Sequence, residues 1–189
     1  MSQPGFAKDS YTLALMGGRA LTLEPPDGVS ADVVAEAMCR IDPWHTLKTR
    51  PEHLSAFLMR KDAHCCRKIV RFDGGIAGAV AVRSPWLYGP YLSLLVVLPA
   101  LQHLGIGSAM LSWMADEAGA GANNLWVCVS AFNGRAIKFY ERHGFSRVGD
   151  IPDLVSAGFS ELLLRKRLGA IDAPQWSAAG APASSSTDA

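Results

Sequence analysis

The chain carries almost no excess charge: 18 Lys and Arg face 17 Asp and Glu, a formal net charge of +1. Nothing electrostatic draws such a chain to nucleic acid or to an anionic membrane, and neither is expected as a partner. Cysteine is sparse. Cys39, Cys65, Cys66 and Cys128 include no CxxC pair, which reads as reduced thiols in a cytoplasmic protein. His64 stands beside Cys65 and Cys66, but three consecutive residues rarely converge on one ion and no second ligand pair appears, so no metal is expected. The most apolar stretch, Tyr91–Ala100, is far too short to span a bilayer. Met1–Ser10, with Pro4, Lys8 and Asp9, has no apolar h-region and does not read as a signal peptide. A P-loop string GxxxxGK followed by Ser or Thr is missing. So is the dinucleotide fingerprint, because Met110 stands where its last glycine should be. No internal repeat is visible.

What is present is a globular pattern. Apolar residues make up 49% of the 189 and charged residues 19%, enough for one domain with a sizeable core. The expected domain spans 19–168. An ambiguous extension (1–18) precedes it, and an Ala/Pro/Ser-rich tail (169–189) with little to bury follows. Arg19–Glu24 alternates like a half-buried strand. Ser30 is a plausible N-cap for a helix through Ile41, and Pro51–Lys61 fits a second helix with Pro51 in its first turn. Lys68–Phe72 and Ile76–Arg83, joined through Asp73-Gly74-Gly75, read as a hairpin. Ser84–Pro90 reads as a loop. Leu92–Leu98 is apolar throughout, as in a central strand covered on both faces. Gly105–Ala118 and Asn133–His143 are helical by spacing. Leu125–Val129, Phe145–Ile151 and Glu161–Arg167 are further strands. The order β-α-α-β-β-β-α-β-α-β-β predicts an α/β (α+β) fold, a mixed sheet with helices on both faces.

The chemistry concentrates in Leu94–Leu111. A buried strand runs through a short loop into Gly105-Ile106-Gly107 at a helix start. Helix N-termini carry free N–H groups and partial positive charge, and glycine lets a phosphate approach the backbone. Taken alone, the segment is either a phosphate cradle or merely a tight helix start. In the second helix Asn133, Ala136, Ile137 and Tyr140 share one face. Asn133 suits an N-cap, a ligand contact or both. Phe139 and Phe145 read as core, and His143 as a surface group near a helix C-terminus.

Together these segments resemble the GNAT N-acetyltransferase superfamily. Gln102-His103-Leu104-Gly105-Ile106-Gly107 looks like its Q/R-x-x-G-x-G/A motif. Asn133, Phe139, Tyr140, Gly144 and Phe145 resemble its asparagine-opened helix ending in aromatic-Tyr and Gly-Phe. The resemblance covers about residues 19–168. It implies a mostly antiparallel sheet of about six or seven strands, splayed at the centre, with about four helices. It implies acetyl-CoA as cofactor, its pantetheine arm on the backbone of Leu95, Val96 and Val97 and its pyrophosphate on the amides of Gln102 to Ser108. Asn133, Ala136 and Tyr140 would complete that site. By the same resemblance the Tyr140 hydroxyl protonates the departing thiolate, a role a neutral phenol can fill; from the residues alone Tyr140 could equally be core. Several members carry a glutamate base where this chain has Tyr91. Tyr91 therefore stands either as a relay through water or as an aromatic shaping the pocket.

The acceptor pocket is expected in the least regular segments, 42–50, 84–91 and 152–160. Asp42, Trp44, Trp86 and Tyr88 are its candidate residues, with Asp153 a second carboxylate for a cationic amine. The resemblance implies acetyl transfer to a primary amine of a small molecule or peptide by direct attack in a ternary complex. Alternatives are a protein (lysine or N-terminal) acetyltransferase and a non-catalytic acyl-CoA sensor. A homodimer is compatible with such folds.

Overall fold

Apolar alternation organises the chain into one eight-stranded sheet. The strands are β1 (Tyr11–Ala14), β2 (Ala20–Glu24), β3 (Cys65–Phe72), β4 (Gly75–Trp86), β5 (Gly89–Val97), β6 (Asn124–Ser130), β7 (Ser146–Pro152) and β8 (Ser160–Arg167). The helices are α1 (Gly28–Met38), α2 (Pro51–Met59), α3 (Ile106–Ala118) and α4 (Gly134–Arg142). These come from a computed structural model that describes residues 5–119 and 122–169. The expected tail therefore lies, apart from Gly169, outside the described residues.

The sheet order is β1-β2-β3-β4-β5-β6-β8-β7. Every pairing is antiparallel except β5 with β6, which are parallel. That one exception follows from the chain path: α3 carries it back across the sheet between the two strands, as a parallel crossover requires. There are eight strands rather than six or seven because Tyr11–Ala14 pairs with β2. Phe6 and Tyr11 add edge-on contacts to Trp113 of α3, at centroid distances of 5.3 and 5.1 Å.

Two apolar layers sandwich the sheet. On one face Ile106, Met110 and Met114 of α3 and Tyr140 of α4 pack on Leu92, Leu125, Val127 and Leu164. On the other, Val34 and Met38 of α1 and Leu54 and Leu58 of α2 pack on Ile69, Ala79, Ala81, Leu94 and Val96.

Two local expectations need correction. Asp27, not Ser30, caps α1: Asp27 Oδ1 accepts from the Ser30 amide at 2.9 Å, and Ser30 Oγ accepts from the Asp27 amide at 3.1 Å. Ser30 is the reciprocal partner of a capping box. Ser84–Pro90 is not a loop. β4 runs to Trp86, which pairs with Gly89, leaving Leu87 and Tyr88 as the turn. The prolines suggested a break, but a register shift between Arg83 and Trp86 takes Pro85 out of the ladder, where its missing N–H costs nothing.

The same strand pair creates the central feature. Ala81 pairs with Leu94 but Val82 with Leu92, so Ser93 is an extra residue in β5. The bulge flips the facing, which is why Leu92 joins one core layer and Leu94 the other. It also bends β5 away from β6. Their pairing stops after Tyr91↔Trp126 and Leu92↔Val127, although both strands continue.

Candidate functional site

Past the point where β5 and β6 part, a cleft of about 840 Å³ lies between the β5 edge, the start of α3 and α4. Leu95, Val96 and Val97 line it, and beyond Leu92 the β6-facing edge of β5 has no strand partner. A free strand edge offers alternating N–H and C=O groups to an extended ligand.

The floor of the cleft turns from strand into helix. Gln102 reaches back, its Nε2 donating to the Val97 carbonyl at 3.0 Å, which holds the connecting loop against the strand end. Gly105 caps α3 with φ 81, no side-chain cap bonds its first turn, and the first helical bond runs from the Ala109 amide to Gly105 O. The amides of Ile106, Gly107 and Ser108 therefore point into the cleft end without intrahelical acceptors. Gly107 has a further reason to be glycine. A Cβ there would lie 3.1 Å from Phe139 Cζ, so its absence lets α3 and α4 close on one another.

α4 supplies the opposite wall. Asn133 Oδ1 accepts from the Ala136 amide at 3.1 Å, so it is an N-cap, and it also lines the cleft with Ala136 and Tyr140. Tyr140 is 6% exposed and packs against Phe139 and Phe145 at 5.2 and 5.5 Å. No protein group hydrogen-bonds its hydroxyl among the described residues. Burial pushes its phenol above the ordinary value, so it is neutral and able to donate.

The cleft mouth is basic. His103, Arg135 and Arg142 line it, with Arg135 Nη2 donating to His103 Nε2 at 3.2 Å. His143 is not the surface group expected. Its Nδ1 meets Phe139 O at 2.8 Å and its Nε2 meets Ser108 Oγ at 2.8 Å, which ties α4 to the first turn of α3. Free amides, a helix N-terminus and a cationic rim together suit a polyphosphate, and the open strand edge suits an extended arm. Leu104 is the exception in the loop: it is exposed and does not line the cleft.

The acceptor candidates divide. Asp42 and Trp44, in the α1–α2 connection, line the cleft. Asp42 Oδ1 also accepts from Thr46 Oγ1 at 2.6 Å. Trp86 and Tyr88 do not line it. Tyr88 is 80% exposed on the β4–β5 turn, and Trp86 lies tilted against Tyr91 at 4.9 Å and edge-to-face against Trp126 at 5.3 Å. Pairing of β4 and β5 through the supposed loop moved both. Asp153 is occupied in its own turn, accepting from the Gly158 amide at 2.6 Å. Tyr91 does not line the cleft either. It faces away from α3, within hydrogen-bonding reach of Cys128, and burial raises both groups above their ordinary pKa values.

Reasoning along the sequence missed Arg135, Arg142 and Phe132, which line the cleft. Two positive residues near the ends of a helix that opens with Asn133 were the available signal. No cluster of three or more His, Cys, Asp or Glu is arranged to hold a metal among the described residues. No helix among them is long and apolar enough to cross a membrane.

The sequence model of the Acetyltransferase (GNAT) family matches residues 32–145, more than half of the chain. Acetyltransferase Atu2258 of Agrobacterium fabrum is 34% identical over 94 residues, a match covering 50% of this chain and 64% of that protein. Among solved structures, the ribosomal-protein-S18-alanine N-acetyltransferase of Escherichia coli superposes with a TM-score of 0.62 at 18% identity, covering 82% of this chain and 97% of the other. The structure of yncA from Salmonella typhimurium, which contains its cofactor acetyl-CoA, gives 0.58 at 17% identity, with coverage of 82% and 97%.

Proposed function

Because the chain belongs to the Acetyltransferase (GNAT) family, we propose that it transfers an acetyl group from acetyl-CoA to a primary amine in a ternary complex. The observation that carries this reading is the unpaired β5 edge leading into the free amides of Ile106, Gly107 and Ser108. Acetyl-CoA supplies an acyl carbon activated as a thioester. Leu95 to Val97 hold its arm as an added strand would be held. Gln102, His103 and Gly105 to Ser108 receive its pyrophosphate, with Arg135 and Arg142 at the rim. Leu104 contributes at most its backbone. Asn133 and Ala136 shape the wall through which Tyr140 reaches the sulfur.

Tyr140 acts as the acid. Its hydroxyl has no protein partner among the described residues, and burial keeps it protonated, so it can give its proton to the thiolate as the bond to sulfur breaks. Tyr91 shapes the acceptor side rather than serving as a base, since its phenol is pushed away from ionisation. Asp42 and Trp44 border the amine's entrance. Holding both reactants at the splay is itself worth about 7 kcal/mol or more of the barrier when the alignment is good. A cytoplasmic location belongs to the same proposal and is supported by four free cysteines.

Calorimetry with acetyl-CoA tests the cradle, and thiol release with a panel of primary amines tests the transfer. Saturable binding followed by amine-dependent release of the thiol supports the reading. Absence of binding overturns it.

A further inference from the structure

Strand alternation gathers a second group of polar residues behind the cleft. Leu125, Val127 and Val129 of β6 and Leu162 and Leu164 of β8 face the α3/α4 layer. Trp126, Cys128, Ser130, Glu161 and Arg165 therefore share the opposite face, and so does Tyr91, since its neighbour Leu92 faces α3. The α1/α2 layer covers β3 to β5 and stops there. Glu161 is 5% exposed, a rare position for a carboxylate. It pairs across the ladder with Ser130, whose Oγ donates to Oε1 at 2.6 Å. Oε2 accepts nothing among the described residues, and it is not among the sealed unsatisfied atoms.

No lysine or arginine forms an ion pair with Glu161 among the described residues. Its titratable and charged surroundings are few. Cys128 lies two residues from Ser130 on β6, and Tyr91 of β5 is near enough for the Glu161 charge to raise its phenol further. Ile151 stands opposite on β7, where the neighbouring Asp150 is already paired with Arg147. Arg165, four residues along β8, sits over the Trp126 ring at 5.7 Å. A buried carboxylate with one neutral partner lacks the cation that would normally justify its burial.

We infer that the acceptor is a primary amine arriving as its cation on this face, and that Glu161 Oε2 takes its proton. The inference rests on the acyltransferase reading and supplies the base that Tyr91 does not provide. The amine meets Glu161 beside Tyr91 and Cys128, where β5 and β6 separate, and loses one proton to Oε2. Its nitrogen then bonds to the acyl carbon, the carbon–sulfur bond breaks, and the thiolate takes the Tyr140 proton. The surplus proton on the new amide nitrogen passes to solvent, which returns one proton to Tyr140 and removes one from Glu161, so that one proton is released in all. Burial raises the Glu161 carboxyl, with the Ser130 hydroxyl opposing in part, which brings it closer to the range of a useful base.

The test uses the full chain and the variants Glu161→Gln and Glu161→Asp. Both should bind acetyl-CoA with the wild-type Kd. With the amine from the panel that the wild type uses, Glu161→Gln should lose about 100-fold in kcat/KM together with the acidic limb of the pH profile, and Glu161→Asp should retain part of both. A second readout needs no turnover. In protein labelled with 13C at the glutamate carboxyl, one signal missing from Glu161→Gln should titrate above the other glutamates and shift when butylamine is added. An unchanged kcat/KM and pH profile in Glu161→Gln overturns the inference. So does a Glu161 signal that ignores butylamine. A wild-type protein that fails to bind acetyl-CoA overturns the acyltransferase reading itself, at a separate measurement.

Discussion

His143 and Ser108 join the two helices that form the cleft: Nε2 of the α4 histidine lies 2.8 Å from the Ser108 hydroxyl in the first turn of α3. The other ring nitrogen faces the Phe139 carbonyl, which can only accept, so Nδ1 donates there while Nε2 and the Ser108 hydroxyl share the second hydrogen bond. His143→Ala should leave the helices in place but loosen the cradle. Losing one hydrogen bond of about 1 kcal/mol predicts a Kd for acetyl-CoA weakened by about 5-fold, with kcat little changed. Calorimetry beside steady-state kinetics checks it. An equal fall in kcat would argue for a chemical role instead.

Tyr140→Phe removes one oxygen from a packed site without altering its edge-to-face contacts with Phe139 and Phe145. Acetyl-CoA affinity and stability should stay near wild type while kcat falls by about 100-fold. A variant that keeps its full rate would remove Tyr140 from the chemistry and leave it as core.

The two glycines of the cradle should fail differently. Gly105→Ala meets nothing within 4 Å but must hold φ 81, a backbone cost of about 1 kcal/mol that Gly105→Asn should partly relieve. Gly107→Ala places its Cβ against the Phe139 ring and should cost about 1 kcal/mol or more through crowding. Adding Phe139→Leu should recover part of the Gly107→Ala loss and none of the Gly105→Ala loss. Denaturant titrations of the single and double variants measure the coupling.

Stability should depend on Glu161 with a defined sign. Its folded pKa is raised by burial, so its contribution is most favourable at acidic pH and is lost as pH rises through the folded value. Glu161→Gln should therefore be more stable than wild type at pH 8, and the difference should vanish toward pH 4. Thermal melts across that range settle the sign. A variant less stable at pH 8 would mean that the charged form has a partner in the fold.

Removal of residues 1–14 should destabilise the domain rather than trim it. Phe6 and Tyr11 are buried against Trp113, and Lys68 Nζ donates to the carbonyls of Lys8 and Asp9 at 2.9 and 2.6 Å. Losing two buried aromatics predicts about 3 kcal/mol or more, a fall in Tm of about 10 °C. An unchanged melt would make the segment an appendage.

Much of this site was legible because its parts are contiguous in the chain. Gln102 to Ser108 form one strand-to-helix turn, and Asn133 to Tyr140 form two turns of one helix. Local geometry alone aligns their amides and side chains. The acceptor side was less legible. Trp86 and Tyr88 were expected in a loop because of the prolines around them, whereas ladder pairing and a register shift put Trp86 in β4 and Tyr88 in its turn, outside the cleft lining. His143 and Glu161 carried little signal, since each acquires its role from a residue more than thirty positions away.

By itself, then, the sequence determined the order of strands and helices from β2 onward, the glycine turn at Gly105 and the shared face of Asn133, Ala136 and Tyr140. These depend on periodicity and on backbone allowed regions, which act over a few residues. Tertiary structure alone decided that a single extra residue, Ser93, parts β5 from β6. It likewise decided that Glu161 is buried beside Ser130 and that His143 meets Ser108. Those outcomes depend on register between strands and on packing between helices that only the folded chain brings together.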